Sequence, residues 1–406
     1  MGYFSLIFDL NLLNLKYTVY KKKVCQMLLI KNIEVYAPES KGIQDVLIAG
    51  EKIEWIAPII EWNQEKCDVI DGTGKILVPG FIDGHVHLIG GGGEGGFRTR
   101  APRVELYELI QGGVTTVVGL LGTDGITRDV ETLLAHAKAL NEEGITVYIC
   151  TGHYGYPSAT ITGDVKKDIV FIQEILGLKL AISDHRAPNI SVDELIRIGS
   201  DTRIAGMVSG KPGFVVLHMG DDKRGLRPVF EALEKTSIPS KIFRPTHMNR
   251  NSMLLKQGID YLKMGGYVDY TCGMDDEMTP GRSILEVEKQ GIPVEHITIS
   301  SDGHGSWSHY DAEGNLTEIG VSSLGSLYDE FKDMVQNLGM SMEKALSFVT
   351  SNAAKALEVY PKKGSIQEGS DADLLIMDKK LNLDMVIAKG KVMMKDGRVL
   401  VKGAFN

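Results

Sequence analysis

The sequence of 406 residues predicts an α/β protein, a (β/α)8 TIM-like barrel with a small β-sandwich domain built from both chain ends. Two observations lead to this fold. Strand-like apolar segments alternate with helical segments through the middle of the chain, which is typical of a parallel barrel. Short strands separated by turn residues occupy both ends, and neither end is long enough to form a good core alone. The apolar content of 43% and charged content of 24% are those of an ordinary globular protein.

Residues 1–26 are expected to be an N-terminal extension that is disordered or not native. The segment begins apolar, but the cluster Lys21–Lys23 follows the apolar part, whereas a signal peptide carries its positive charge first. Asp9 and several asparagines interrupt the run, which falls short of the roughly 20 apolar residues of a membrane span. Met27 opens a regular strand and is therefore the expected natural start.

The β-sandwich is predicted from residues 27–78 and 362–406, where glycines separate short β segments. The strand candidates of the first part are Leu28–Tyr36, Asp45–Ala49, Lys52–Ala57 and Val69–Asp71. Those of the second part are Ala372–Met377, Met385–Ala388, Lys391–Lys395 and Arg398–Val401. We expect the two parts to form one domain because each lacks the residues for a core of its own.

The barrel is predicted over residues 79–361, and its first strand begins slightly earlier. The strand candidates are Ile76–Asp83, Thr115–Leu120, Thr146–Cys150, Leu178–Ser183, Phe214–Met219, Ile242–Thr246, Tyr267–Thr271 and Ile297–Ser301. The helical candidates between them include Asp129–Glu142, Val165–Leu176, Ser191–Gly199, Leu226–Lys235 and Ile284–Lys289. In such a barrel the active site lies at the carboxyl ends of the strands.

Polar side chains occur at those strand ends. His85 and His87 follow the first strand, and residues i and i+2 of a strand project from the same face, so both imidazoles can reach one divalent metal. For an isolated His-x-His, two satisfied polar groups at a strand terminus would be the simpler interpretation. His218 on the fifth strand, His247 after the sixth and Asp302 after the eighth favour the metal site instead.

Lys179 lies within the fourth strand and is flanked by apolar residues. A cationic amine among imidazoles and metals would be strongly repelled and costly to bury. A lysine carboxylated by carbon dioxide is instead an anionic carbamate that can bridge two metals through its two oxygens. The alternative is a lysine at a strand edge whose ammonium reaches solvent.

Charge and cysteine usage limit the partners and the compartment. The net charge is −9 and no basic cluster with interleaved aromatic residues occurs, which predicts no nucleic-acid partner. No membrane partner is expected either. The four cysteines show no CxxC spacing and are expected to be buried thiols of a reducing compartment. The predicted location is cytoplasmic.

Several strings of residues around the strand ends resemble a known family. Pro79–His87 and Gly369–Leu375 are similar to motifs of the amidohydrolase superfamily. The longer strings are Leu88–Glu94, Val118–Asp124, Ala181–Arg186, His218–Asp221, Pro245–Arg250 and Ser300–Gly303. With these, the chain resembles the bacterial isoaspartyl dipeptidases, also called β-aspartyl dipeptidases, from about residue 28 to its end.

The resemblance implies a binuclear zinc hydrolase. His85 and His87 would hold one Zn²⁺ with Asp302, His218 and His247 would hold the other, and N6-carboxylated Lys179 would bridge them. A hydroxide shared by the two metals would attack the β-aspartyl amide of an isoaspartyl dipeptide. Asp302 would accept the proton of the water and deliver it to the leaving amine.

The resemblance also implies residues that bind the substrate and the oxyanion. The substrate-binding positions would be Gly92, Glu94, Thr123, Arg186, Arg250 and Ser306. A carboxylate on the glycine loop suits the substrate ammonium, and the two guanidinium groups suit its carboxylates. Tyr154 would stabilise the oxyanion; a packing role, or Tyr156 in the same role, is the alternative. The roles of His185 and His304 remain open.

Two other functions are compatible with part of these features. A different amidohydrolase, of the hydantoinase, dihydroorotase or N-acyl amino acid deacylase type, would share the metal ligands but not the combination of the glycine–Glu94 loop with Arg186 and Arg250. A metal-free scaffold would have lost metal ligands, and all of them are present here. The family resemblance further implies a homo-oligomer, with an octamer suggested.

Overall fold

The computed structural model describes residues 27–62, 67–274 and 276–404. The expectation for residues 1–26 lies outside the described residues. Within the described part, no helix is long and apolar enough to cross a membrane. Cys150 and Cys272 are buried free thiols, whereas Cys67 is partly exposed, so the prediction of a buried thiol is wrong at Cys67.

The strands of the described part are numbered in chain order. Those of the first half are β1 (Met27–Tyr36), β2 (Ser40–Ala49), β3 (Lys52–Ala57), β4 (Asp68–Asp71), β5 (Ile76–Pro79), β6 (Phe81–Val86), β7 (Val114–Gly119), β8 (Thr146–Gly152) and β9 (Ile175–Ile182). Those of the second half are β10 (Phe214–Met219), β11 (Phe243–Thr246), β12 (Val268–Thr271), β13 (Ile297–Ser300), β14 (Ser306–Tyr310), β15 (Leu316–Val321), β16 (Leu374–Met377), β17 (Leu383–Ala388), β18 (Lys391–Lys395) and β19 (Arg398–Val399).

The helices follow the same convention. They are α1 (Leu106–Gln111), α2 (Val130–Glu143), α3 (Val165–Phe171), α4 (Val192–Ser209), α5 (Arg227–Lys235), α6 (Ser252–Lys263), α7 (Pro280–Lys289), α8 (Ser326–Gln336), α9 (Met342–Val349) and α10 (Ser351–Ala356). Several begin at side-chain caps that satisfy free backbone N–H groups, as at Asp129 before α2 and Ser191 before α4.

Strands β6 to β13 form the predicted barrel. β6 to β11 are a six-stranded parallel sheet in chain order, and β12 pairs with β13 in parallel. Two backbone hydrogen bonds bridge the remaining gaps. The Met248 N–H donates to Asp269 O at 3.2 Å after β11, and the His87 N–H donates to Gly303 O at 2.9 Å after β6. The strands therefore curl into a closed TIM-like barrel, and the carboxyl ends of all eight face the same side.

The two chain ends meet in one nine-stranded sheet, ordered β19-β18-β17-β16-β5-β1-β2-β3 with β4 beside β1. β16, near the C-terminus, pairs antiparallel with β5, so that Leu375 lies opposite Val78. One apolar core joins residues from both ends, including Ile33, Val46 and Ile376. Both ends thus contribute to one sheet, while its description as a sandwich stays a prediction.

The predicted first barrel strand, Ile76–Asp83, is wrong as a single element. It is two strands, because the chain leaves the end sheet after Pro79 and enters the barrel at Phe81. Gly80 lies between them, and a Cβ there would come 2.1 Å from Oγ1 of Thr115. Only glycine fits this close approach between the two parts of the chain.

The predicted helix Val165–Leu176 is too long. α3 ends at Phe171, and Ile175 already belongs to β9, whose eight residues are all buried. The hairpin of β14 and β15 was not predicted, and it follows the strand that leads to Asp302.

Helix α10 packs against the amino-terminal end of the barrel. Its residues Ala353 and Ala354 pack with Phe214 and Val216 of β10 in one buried apolar cluster. The α10 side is therefore the amino-terminal end of the barrel, and the polar strand ends lie on the opposite, open side.

Candidate active site and metal centre

His85, His87 and Asp302 converge at the open end of the barrel. Nε2 of His87 lies 3.2 Å from Oδ1 of Asp302, and Nε2 of His85 lies 3.5 Å from the same oxygen. One ligand atom of each of the three lies within 4.8 Å of the others, a spacing that could hold a metal ion. Oδ1 of Asp302 is buried and has no hydrogen-bond partner among the described residues. A buried carboxylate oxygen left in this state is costly, and a cation would satisfy it.

Lys179 lies beside this group. Its side chain is fully buried, and Nζ is 3.1 Å from Nε2 of His85 and 5.5 Å from the ring centre of Tyr154. Burial lowers the pKa of the amine to about 7, although Asp302 opposes this shift. The alternative interpretation of a lysine that reaches solvent at a strand edge is therefore wrong.

His218 and His247 complete a ring of imidazoles around the same point. Their ring centres are 4.5 Å apart, and the ring centre of His247 lies 5.3 Å from that of His85. Burial is the main cause that holds the pKa of all three well below the usual value. Neutral imidazole is the form that binds metals. Nδ1 of His247 lies 2.8 Å from Oγ1 of Thr271, which orients its ring.

His218 is engaged on both nitrogens. Nδ1 lies 2.6 Å from the phenolic oxygen of Tyr154, and Nε2 lies 3.0 Å from Oδ2 of Asp184. Burial alone would raise the pKa of Asp184, but hydrogen bonds from Arg186 and His218 hold that pKa far below its usual range. Asp184 is therefore an anion that would compete with a metal ion for Nε2 of His218. No role was predicted for Asp184 from the sequence.

Tyr154 lies inside the site and Tyr156 does not. Tyr154 is only 6% exposed, whereas Tyr156 is 38% exposed. Burial raises the pKa of the Tyr154 phenol, so that it remains a proton donor. Of the two tyrosines considered from the sequence, the structure thus brings Tyr154 to the ring of imidazoles.

Glu94 is held at the mouth of the site by three donors. Its Oε1 accepts from Arg186 Nη1 at 3.0 Å, Ser306 Oγ at 2.9 Å and Thr123 Oγ1 at 3.2 Å. Its Oε2 is buried without a hydrogen-bond partner among the described residues. The structure therefore brings four of the predicted substrate-binding residues together: Thr123, Arg186 and Ser306 surround the carboxylate of Glu94, which keeps one unpartnered oxygen.

The glycine loop brings Glu94 to this position. Gly92 has φ +78°, and a Cβ there would lie 2.4 Å from Thr99 O. Arg128 holds the loop from the other side through Nε to Ile89 O at 3.0 Å. Gly92 is thus required for the loop to fold, and no side chain of its own reaches into the site.

The two predicted arginines differ. Arg186 binds Asp184 through Nε and Nη2, at 2.9 and 2.8 Å, in addition to Glu94. Arg250 has fewer partners than Arg186. Its Nη1 lies 3.5 Å from Asp221, and its buried Nε has no hydrogen-bond partner among the described residues. Arg250 therefore has donor capacity left for an anion.

The two histidines of open role lie outside the imidazole ring. His304 is buried, with Nδ1 2.9 Å from Pro102 O and Nε2 3.0 Å from Glu108, so it joins the Asp302 loop to α1 and to the segment before it. The His185 side chain is 59% exposed and packs edge-on against Tyr310 of β14. Neither reaches the group formed by His85, His87 and Asp302.

Two carboxylates below the site, the buried Asp83 and the partly buried Asp269, were missed by sequence reasoning. Asp83 on β6 accepts from the Ser301 N–H at 3.3 Å and thereby joins the strand of His85 to the loop of Asp302. Asp269 on β12 accepts from Thr246, Thr298 and Ser300 at 2.6–2.8 Å. Burial raises the pKa of Asp83 to about 7 and that of Asp269 to about 6. Their position inside strands, where apolar residues are usual, is the signal that could have found them.

Comparison with solved structures decides the family. The chain is 39% identical to the β-aspartyl dipeptidase of Fervidobacterium islandicum AW-1, solved in complex with β-Asp-Leu, with a TM-score of 0.89 over 92% of this chain and 98% of that one. This chain belongs to the β-aspartyl dipeptidases of the amidohydrolase superfamily. It is a hydrolase, as the sequence predicted.

The other matches of this β-aspartyl dipeptidase family member are shorter or lower in sequence identity. The amidohydrolase family model matches residues 274–393. A dihydroorotase of Streptococcus pyogenes is 39% identical over 126 residues, so that the match spans 30% of this chain and only 28% of the dihydroorotase. A D-hydantoinase of Thermus sp. has a TM-score of 0.72 at 18% identity over 93% of this chain and 97% of that one, which shows the shared fold alone.

Proposed function

We propose that this chain is a zinc-dependent enzyme that hydrolyses the isopeptide bond of isoaspartyl dipeptides. The observation that carries the proposal is the pair Glu94 and Arg186, whose carboxylate and guanidinium lie 3.0 Å apart beside the imidazole ring. A β-linked aspartyl residue keeps an ammonium and a carboxylate on one carbon, whereas an α-linked one has lost that carboxylate to the peptide bond. A carboxylate next to a guanidinium is complementary to this zwitterion. The β-Asp-Leu bound by the F. islandicum relative supports the same substrate class.

The ligands of the proposed zinc ions are the residues of the buried group. His85, His87 and Asp302 would hold one ion, His218 and His247 the other, and carboxylated Lys179 would join them. The unpartnered Oδ1 of Asp302 and the lowered pKa of His85, His218 and His247 fit such a cation pair. When bound, zinc would make water a better nucleophile and polarise the scissile carbonyl. His218 can bind through Nε2 only if Asp184 releases it.

Asp302 is the proposed proton carrier. It lies at the centre of the site, where its carboxylate can take a proton from the attacking water. The same proton then passes to the nitrogen of the leaving amino acid as the C–N bond breaks. Tyr154 donates its phenolic proton in a hydrogen bond to the oxyanion, and burial keeps that phenol protonated.

The remaining groups hold the substrate. Oε2 of Glu94 accepts a hydrogen bond from the ammonium, while Thr123 and Ser306 fix the carboxylate through Oε1. Arg186 faces the α-carboxylate of the aspartyl residue. The free Nε of Arg250 suits the carboxylate of the leaving amino acid.

A second candidate is hydrolysis of a cyclic amide. The identity of 39% to a dihydroorotase over 126 residues favours it, although that match leaves most of the dihydroorotase uncovered. Cyclic amides and N-acyl amino acids lack the free amino-acid zwitterion, so they would leave Glu94 without an ammonium to bind.

The deciding experiment compares β-Asp-Leu with α-Asp-Leu, dihydroorotate and an N-acyl amino acid, using protein supplied with zinc and bicarbonate and assayed for bound metal. Cleavage of β-Asp-Leu alone, with about two metals per chain, is the expected result. Two metals with cleavage of dihydroorotate and not of β-Asp-Leu would replace the proposal by the second candidate. The homo-oligomer, the absence of nucleic-acid and membrane partners and the cytoplasmic location stay predictions.

A further inference from the structure

A cavity lies inside the barrel, below the metal-binding face. Its volume is about 50 Å³. At its lower end, towards α10, the cavity is lined by Phe214, Arg244 and Ala353. At its upper end, towards the ring of imidazoles, it is lined by His85 and Thr246. Because a single water needs roughly 10–15 Å³ of such space, the cavity can hold a few small molecules. The cavity therefore extends from the α10 end of the barrel to His85, a proposed metal ligand.

The upper end of the cavity reaches the immediate surroundings of Lys179. Nε2 of His85, which lines the cavity, is 3.1 Å from Nζ of Lys179. Val216, another lining residue, lies directly opposite Lys179 in the register of β9 and β10. Paired residues of neighbouring strands project from the same face of the sheet, so Val216 stands beside the stem of Lys179. Lys179 itself is fully buried.

The lining determines which molecules can use the cavity. Most of it is apolar, with Phe214, Val216 and Leu357 contributing to the walls. The lower end carries the guanidinium of Arg244, which lies over the rings of Phe214 and Tyr267 at 4.0 and 5.1 Å. Asp269 also lines the cavity, but its carboxylate already accepts hydrogen bonds from Thr246, Thr298 and Ser300. Arg244 forms no ion pair among the described residues, so its charge repels metal cations and ammonium groups. A small, neutral, apolar molecule is the occupant that fits.

We propose that this cavity is the path by which carbon dioxide reaches Lys179 from the amino-terminal end of the barrel. The inference rests on the proposed function, because it supplies the carbamate that function requires. In the step served by the cavity, the lone pair of the neutral Nζ attacks the carbon of CO₂ and forms an N–C bond. One C=O electron pair moves onto oxygen to give the carboxylate, and Nζ releases one proton to water. Substrate enters from the opposite, open side, where Glu94 lies.

The test fills the lower end of the cavity without touching the metal-binding residues. Ala353→Leu adds apolar volume on α10, and Lys355→Leu, an exposed position on the same helix, is the matched control. Metal-free protein depleted of CO₂ is mixed with zinc and ¹³C-bicarbonate, and the ¹³C NMR signal of the lysine carbamate is followed with time. We expect Ala353→Leu to slow carbamate formation about tenfold or more, because a well-packed interior leaves no other void there. Fully loaded Ala353→Leu should keep the kcat of the unmodified protein.

The outcomes separate the path from the function. Equal rates of carbamate formation in Ala353→Leu, Lys355→Leu and unmodified protein would overturn the path and leave the zinc hydrolase intact. Absence of any carbamate signal in the unmodified protein would overturn both. If Ala353→Leu does not fold, Ala356→Leu fills the same wall from the next turn of α10 and must give the same slowing. Xenon, which enters apolar cavities, must bind at this position in the unmodified protein and be excluded from the filled variant.

Discussion

The phenolic oxygen of Tyr154 lies 2.6 Å from Nδ1 of His218. This contact joins the proposed oxyanion donor to a proposed metal ligand, and both side chains are buried. The tyrosine is therefore held in place before any substrate arrives, which is the condition for electrostatic stabilisation of a transition state.

Tyr154→Phe tests this role. Removal of one oxyanion donor costs about 10²–10³-fold in kcat, and we expect a loss of that size with KM changed little. The measurement is steady-state hydrolysis of β-Asp-Leu together with the zinc content of the variant. Tyr156→Phe, at the exposed neighbouring position, serves as the control and should behave as the unmodified protein. A KM effect alone would instead make Tyr154 a packing residue.

Glu94→Gln tests recognition of the ammonium. The amide can still accept from Thr123 and Ser306, but its negative charge is gone. A hydrogen bond to a charged group contributes about 1.5–3 kcal/mol, so we expect KM for β-Asp-Leu to rise roughly 10- to 100-fold. Bound zinc, measured on the same sample, should be unchanged. An unchanged KM would show that the ammonium binds elsewhere. Glu131→Gln, which removes an exposed carboxylate, is the control and should leave KM unchanged.

Lys179→Ala tests the carboxylated bridge. The variant should lose zinc and activity together, because the proposed carbamate between the two histidine pairs cannot form. Addition of a short carboxylic acid should restore part of both, since its two oxygens replace those of the carbamate. Metal analysis and β-Asp-Leu hydrolysis, each with and without the acid, provide the measurement. Full activity without the acid would exclude the bridge.

Lys363→Met tests the junction between the barrel and the end sheet. Nζ of Lys363 is buried, lies 2.9 Å from Asp371, donates to Thr146 at 2.7 Å and also binds Asp373. Removal of one partner from a buried ion pair costs about 3–5 kcal/mol, because the opposite charge stays buried. We expect a loss of this size in the free energy of unfolding, measured in urea. Lys362→Met, one exposed position earlier, should cost almost nothing.

The pH dependence of the same pair of proteins gives an independent check. Burial alone would lower the pKa of Lys363, but Asp373 and Asp371 raise that pKa overall. Burial alone would raise the pKa of Asp371, but Lys363 outweighs this effect, so the pKa of Asp371 is lowered. The contribution of Asp371 is present above its unfolded pKa of about 3.9 and is lost as pH falls below it. That of Lys363 is present below about pH 10.4 and is lost as pH rises further. The difference between the unmodified protein and Lys363→Met should therefore be largest near neutral pH.

The barrel and the positions of its polar strand ends could be predicted because both follow from local pattern. His85 and His87 follow an apolar run, and Lys179 interrupts another, so the chemistry is visible in the sequence itself. The sequence could not decide which of Tyr154 and Tyr156 enters the site, since both lie on one loop and only tertiary packing buries Tyr154.

Other features depend on contacts that sequence pattern does not contain. The mostly apolar segment from Ile169 to Leu176 suits a helix or a strand, and the pairing of Ile175 with Ile149 of β8 makes its last two residues part of a strand. The break at Gly80 arises from Thr115, which is distant in the chain. The engagement of His218 by Asp184 likewise requires two strand ends to meet.

The pairing of β5 with β16 also constrains how the protein is made. β5 ends at Pro79 and β16 begins at Leu374, so nearly the whole barrel is synthesised between two strands that must become neighbours. During translation, β5 has an unpaired edge until the last strands leave the ribosome, and an open strand edge invites pairing with other chains. Completion of the end sheet thus requires synthesis beyond residue 374, and a chain truncated before that residue cannot bury this edge.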